Sequence, residues 1–242
     1  MKSKLTISIA SILSVLVLVG VGFAAWVIIN PNVQANTDGT IQVDSVTDNS
    51  YDIKAEFVKT SDATNGTIVF GKKDDPSITK PWLTNADKVE NLTATLTLTA
   101  QNFKADSWTE ISKKTLTVSM QTIKGKADDN GFSTLVTSGY IAYPTLSGAG
   151  SVSKTLTAWT DTVEIPLEKF SHVENATTAT YELTIEFAWG SKFTSVNPYT
   201  YYNNQTYDTK IAKEASDALT AIHEALNGVS YKVSIKEQAA QA

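Results

Sequence analysis

The segment Thr180-Tyr181-Glu182-Leu183-Thr184-Ile185-Glu186-Phe187-Ala188-Trp189 alternates without a break. In an extended chain Tyr181, Leu183, Ile185, Phe187 and Trp189 fall on one side, and Glu182, Thr184, Glu186 and Ala188 on the other. A period of two over this length marks a strand with one buried and one wet face. Gly190 ends it.

The same pattern recurs upstream. Over Asn91 to Ala100, Leu92, Ala94, Leu96 and Leu98 alternate with Thr93, Thr95, Thr97 and Thr99. Threonine is β-branched and polar, which suits the solvated side of a sheet. Leu116, Val118 and Met120 repeat the arrangement, with Thr115, Thr117, Ser119 and Gln121 facing outward, after a turn around Ala105 to Ser112. Ile41 and Val43, then Tyr51, Ile53, Ala55 and Phe57, give earlier strands, with a short one at Thr67 to Gly71. Val152 to Trp159 and Thr162 to Leu167 read as two more, Pro166 marking an edge or a strand end. Gly139 to Ser151, with Pro144, Gly148 and Gly150, reads as loop around a short strand at Tyr140 to Tyr143.

The period changes near the C-terminus. Ile211, Ala215, Ala218, Leu219, Ile222 and Leu226 fall at helical spacing, predicting one amphipathic helix over 207–226. Asp208 or Thr206 can cap its start, and Asn227-Gly228 stops it. Val229, Tyr231, Val233 and Ile235 return to strand alternation, and 237–242 reads as a frayed tail. About nine or ten short strands and a single late helix predict a mainly β chain, an antiparallel sandwich. A parallel sheet would need a helix between successive strands.

The N-terminus is of another kind. Lys2 and Lys4 precede an apolar run, Leu5 to Ile29, that carries no charge and loosens into small residues at Gly20, Gly22, Ala24 and Ala25. That is the form of an export signal. Residues 1–25 are therefore expected to be a signal peptide, cut by signal peptidase between Ala25 and Trp26 or else after Ala35. The alternative is an uncleaved apolar helix anchoring the chain in the membrane, since about 20 apolar residues suffice to span a bilayer. Residues 26–38 would then form an exposed N-terminal segment and 39–236 the sandwich. A terminus reading Trp26, Val27, Ile28, Ile29 is costly to leave in water, because burying each such side chain is worth about 1.5–3 kcal/mol. These four residues are expected to dock in the body's own sheet, in another subunit or in the membrane.

Composition narrows the function. The net charge of −5, dispersed and without a basic block, argues against nucleic acid or anionic lipid as a partner. The chain has no cysteine, which rules out a disulfide framework, a thiolate metal site and a lipidated cysteine. Its two histidines, His172 in a turn and His223 on the flank of the helix, read as surface or boundary residues rather than metal ligands. Asp128-Asp129-Asn130-Gly131 lacks the full spacing of a calcium loop and reads as a hairpin turn. The Asn-x-Thr sites at Asn65, Asn91, Asn175 and Asn204 are expected by chance in a threonine-rich chain. No Gly-x-Ser-x-Gly elbow marks a hydrolase. Tyr199, Tyr201, Tyr202 and Tyr207 read either as packing between helix and sheet or as a sugar- or protein-binding patch. No cofactor, metal or catalytic residue is expected.

Phe23-Ala24-Ala25-Trp26, followed by Gly39-Thr40-Ile41-Gln42-Val43, resembles the TasA/camelysin family of exported proteins. In that family a dedicated peptidase cuts an aromatic-Ala-Ala signal, and a Gly-Thr-hydrophobic-x-hydrophobic strand opens the body. The resemblance implies a jelly-roll-like sandwich and fibres of a biofilm matrix, linked by an N-terminal donor strand, here Trp26, Val27, Ile28 and Ile29. Archaeal bundling pili look related. The chain departs from the family at Gln42, where Asp is usual, and in the helix and strand added over 206–235. The stretch from Phe187 to Asn203 also looks like an ending that recurs in exported proteins of Firmicutes. The expected function is a non-enzymatic, self-associating structural protein of the cell surface or matrix. A monomeric or membrane-anchored adhesin or carbohydrate-binding module is the alternative.

Overall fold

A computed structural model describes residues 28–29, 32–33, 36–37, 39–43, 50–58, 66–79, 83, 89–124, 127–128, 130–206, 208–227 and 229–238. The signal residues Phe23, Ala24, Ala25 and Trp26, the expected N-terminal helix, and Val27 lie outside them. In chain order the strands begin with β1 (Ile28–Ile29), β2 (Asn32–Val33), β3 (Asn36–Thr37), β4 (Gly39–Val43), β5 (Asp52–Phe57) and β6 (Ile68–Val69). There follow β7 (Thr93–Gln101), the short helix α1 (Trp108–Ile111), β8 (Thr115–Lys124), β9 (Ala127–Asp128) and helix α2 (Asn130–Thr137). The second half holds β10 (Ile141–Gly148), β11 (Val152–Thr155), β12 (Thr162–Pro166), β13 (Ser171–His172) and β14 (Ala179–Trp189). Helices α3 (Pro198–Asn203) and α4 (Thr209–Leu226) and strand β15 (Val229–Glu237) complete it. Among the described residues no helix is long and apolar enough to cross a membrane.

The chain is mainly β and sandwich-like. One sheet has the order β11-β10-β14-β7-β5, with β13 also on β14; the other runs β12-β8-β15-β4, with β9 also on β8. Strand β14 is the middle of the first sheet. Its alternation is realised as expected: Tyr181, Leu183, Ile185, Phe187 and Trp189 are all buried, while Glu182 and Glu186 are exposed. The inner faces meet through rings. Phe187 of β14 lies 5.6 Å from Tyr231 of β15, and Phe57 of β5 lies 6.0 Å from the same tyrosine, both edge-on. Edge-to-face pairs add to the area each ring buries.

Several expectations need correction. The sandwich is not wholly antiparallel: β4 pairs in parallel with β15, Ile41 opposite Val233 and Val43 opposite Ile235. The short strand expected at Tyr140–Tyr143 is instead an eight-residue strand, Ile141–Gly148, that continues through residues read as loop. Its pairing with β14 shifts between Ala142 and Thr145, a bulge that accommodates Pro144, which has no N–H to give to a ladder. The late helix is not alone. Asn130-Gly131 opens α2 instead of a hairpin turn, because Phe132 and Leu135, one turn apart, are both buried. Asn197-Pro198 opens α3 rather than lying in a loop: Asn197 Oδ1 accepts from Tyr199 N–H at 2.9 Å, with Pro198 at the first helical position, the arrangement a helix start favours.

The long helix α4 starts two residues later than expected, with Asp208 Oδ1 accepting from Ile211 N–H at 2.7 Å. The final strand runs through Glu237, where a tail was expected to begin. Glu237 pairs opposite Leu116 and bridges to Lys114 at 3.1 Å, and Gln238 N–H reaches Thr115 O at 2.8 Å.

Candidate functional site

The seam between β4 and β5 differs from the rest of the core. Ile41 and Val43 on β4, and Ala55 and Phe57 on β5, lie at inward-facing register positions. Their partners one strand further in, Val233, Ile235, Leu96 and Leu98, are all 0% exposed. The seam residues are only partly covered, and Val43 is 36% exposed; Val58, just past β5, is 37% exposed. Among the described residues β4 and β5 are the outermost strands of their sheets, the position at which a sheet can take on a further strand.

What fixes β4 at this seam is Gly39. A methyl group there would come within 2.4 Å of Phe57 Cζ and 2.5 Å of Tyr231 Cζ. Tyr231, fully buried, donates from its hydroxyl to Gly66 O. Gly66 has a φ of +65° and would itself meet the Phe57 ring if it carried a side chain. Gly39 at the start of β4 and Gly66 in the loop before β6 therefore let their backbones close on one pair of rings.

The donor-strand candidates are only partly described. Ile28 and Ile29 pair antiparallel with Val33 and Asn32 as a small hairpin, and β2 lies against α4. Asn36 and Thr37 pair with Val69 and Ile68. Neither sheet of the sandwich incorporates β1.

Beside the C-terminal end of β14 lies a cleft of about 310 Å³ bordered by Lys73, Glu90, Leu92, Glu186, Asn197 and Thr200. Pairing between β14 and β7 ends near here, with Phe187 N–H donating to Leu92 O at 2.8 Å. Glu90 Oε2 accepts from Trp189 Nε1–H and, at 2.7 Å, from Asn197 Nδ2–H. The Asn197 amide also donates to Gly71 O at 2.8 Å while its carbonyl caps α3. Trp189 and Asn197 are each 4% exposed, so one carboxylate oxygen satisfies two buried donors. The chemistry of this cluster is that of a latch joining four distant segments. Sequence reading missed it, because none of the four residues carries a local signal for the others.

Of the tyrosine cluster, Tyr199 and Tyr202 are core residues at 0% and 1% exposure, and Tyr201 is half-buried; Tyr207 lies outside the described residues. Tyr202 stands against Phe193 and Tyr201. Burial, with Glu214 and other charges nearby, pushes its hydroxyl well above the ordinary tyrosine range. A second cleft, about 390 Å³, is bordered by Tyr140, Lys192, Lys210, Lys213, Glu214 and Asp217. Lys192 lies over the Tyr140 ring at 5.2 Å, and Lys213 bridges to Asp217 at 2.7 Å.

His172 is half-buried and stacks on Trp108 at 4.7 Å, with Phe103 closing the group. His223, expected at the surface or boundary, is buried at 9% exposure on α4. Among the described residues no three His, Cys, Asp or Glu side chains are grouped to hold a metal ion. Asp128 lies in β9 and Asp129 outside the described residues.

Neither the family models nor the curated proteins nor the solved structures give a match to this chain.

Proposed function

We propose that this is an exported, non-enzymatic structural protein of the cell surface or extracellular matrix, built on a jelly-roll-like sandwich and assembling with itself by strand addition. Export rests on the charged-then-apolar leader, with signal peptidase releasing Trp26 as the new terminus. If the leader is retained, the same body stands on a single membrane anchor. The observation that carries the reading is the half-covered seam: Ile41, Val43, Ala55 and Phe57 face inward yet keep part of their surface in water. A half-covered core beside the outermost strand of each sheet suits an apolar strand arriving from another copy. Trp26, Val27, Ile28 and Ile29 have the right chemistry for it, and residues 30–38 join them to β4.

The test is deletion of Trp26 to Asn30 in the exported chain. Electron microscopy and size exclusion should show polymers lost, with circular dichroism and the melting temperature unchanged. Fibres that persist after the deletion refute strand addition through this segment. The glycan-binding alternative through the tyrosine cluster is weakened by the packing of Tyr199 and Tyr202, since rings that are 0% and 1% exposed offer no face for a sugar.

A further inference from the structure

An inner strand of each sheet carries two like charges on its outer side, acidic on β14 and basic on β15, at the same pitch. On the six-stranded sheet, Glu182, Thr184 and Glu186 project outward from β14; its neighbour β7 sets Thr97 opposite Glu182 and Thr93 opposite Glu186. Glu56 of β5 stands opposite Thr97 on the other side, with Asp52 further along and Lys54 tied to Glu56 at 2.8 Å. The outward positions of β5 and β14 therefore hold four carboxylates against one lysine, set among the threonines of β7, with Lys73 at the cleft beside Glu186. On the five-stranded sheet, Lys232, Ser234 and Lys236 project outward from β15, opposite Gln121, Ser119 and Thr117 of β8. Two carboxylates stand on neighbouring described strands of this sheet: Glu164 of β12, which accepts from the Gln238 side-chain amide at 3.2 Å, and Asp128 of β9, in register opposite Ile123 of β8. Neither Lys232 nor Lys236, nor Glu182 nor Glu186, forms an ion pair among the described residues.

Each comb has its two charges four residues apart on an inner strand of its sheet, a spacing of about 13 Å at the rise of a strand. The residue between them is Thr184 in one and Ser234 in the other, small enough for close approach. Side chains on the surrounding positions are mostly Ser, Thr and Gln, which hydrogen-bond without adding charge.

We infer that copies of this chain associate front to back, the Glu182/Glu186 comb of one molecule meeting the Lys232/Lys236 comb of the next. Complementary potential favours the pairing, and like faces repel. The contact is heterologous, because the two surfaces lie on opposite sides of one body. It therefore does not close on itself and propagates as a stack. It uses none of residues 26–30, so it and strand addition fail separately.

The test is a charge exchange in the exported chain, followed by sedimentation velocity at low and high salt. The wild type should show a salt-sensitive association. Glu182→Lys/Glu186→Lys makes both combs positive, and Lys232→Glu/Lys236→Glu makes both negative. Each variant alone should associate at least about tenfold more weakly, given the cost of juxtaposing like charges, and should melt as the wild type does. Mixing the two should restore the association, and so should the chain carrying all four substitutions. Strand addition, being hydrogen-bonded and apolar, persists in every variant. An association unaffected by either reversal, a mixture that stays apart, or a wild type without a salt-sensitive component overturns the proposal. Should a double variant misfold, the four-substitution chain still decides: recovery in that chain supports the pairing, and failure in a folded one refutes it.

Discussion

Replacing Glu90 with alanine removes the one acceptor shared by Trp189 Nε1–H and Asn197 Nδ2–H. Both donors belong to residues that are 4% exposed. A buried donor left without a partner costs about 1–3 kcal/mol, so two give an upper range of about 6 kcal/mol. Glu90 itself is only half-buried and stands at a cleft that water can enter. Water then takes up part of the loss, and about 2–4 kcal/mol is expected. With a urea dependence of about 3 kcal/mol per M for a body of this size, the unfolding midpoint should fall by about 1 M. Glu90→Gln keeps an acceptor oxygen in place and loses only the charge. Because charge-assisted bonds are about twice as strong as neutral ones, its cost should be about half as large. The assay is equilibrium urea unfolding followed by tryptophan fluorescence, with Trp189 itself among the reporters. A midpoint for Glu90→Ala within about 0.2 M of the wild type would show that the latch holds nothing, and the account of this cleft would fall with it.

Two further outcomes concern the seam and the loops. Gly39→Ala forces a methyl against the Phe57 and Tyr231 rings; overpacking of this kind costs about 1–3 kcal/mol, and hydrogen exchange over 39–43 should quicken while exchange in β14 stays as it was. The Asp161 carboxyl is held below the ordinary carboxylate range, first by the Thr157 N–H at 2.6 Å and then by the Thr157 hydroxyl at 2.9 Å. Its contribution is therefore present above pH 3.8 and lost as pH falls through the lower folded value. The Thr157 amide resonance should titrate in that acid window, and Asp161→Asn should abolish the titration.

Strands whose alternation was long were legible from residues alone. Residues 180–189 and 91–100 each offer four or more alternations, so their faces are set by the pleat whatever surrounds them. The helix over 207–226 was legible for the same reason at another period. What escaped was short or depended on distant partners. Helix α2 spans eight residues, too few turns for its period to stand out beside an Asn-Gly pair that equally well makes a turn. Strand β10 hides behind Pro144 and Gly148, and the bulge that makes Pro144 acceptable is visible only against β14. Gly148 is required because Tyr181 crosses it, a ring 33 positions on, with a Cβ there meeting the Tyr181 hydroxyl at 2.2 Å. His223 looked peripheral on the helical wheel, yet neighbours that the wheel does not contain bury it. The Glu90 latch and the half-covered seam are properties of residues brought together across most of the chain, where no local pattern reaches.

The parallel pairing of β4 with β15 carries a consequence for timing. The first strand of the body and the last are neighbours, and nearly every other strand lies between them along the chain. A polypeptide that emerges from its N-terminus presents Gly39–Val43 early and must wait for Val229–Glu237 before that strand has its ladder partner. Throughout the interval the oldest strand stays uncommitted, and two molecules emerging side by side could each offer it to the other before either is whole.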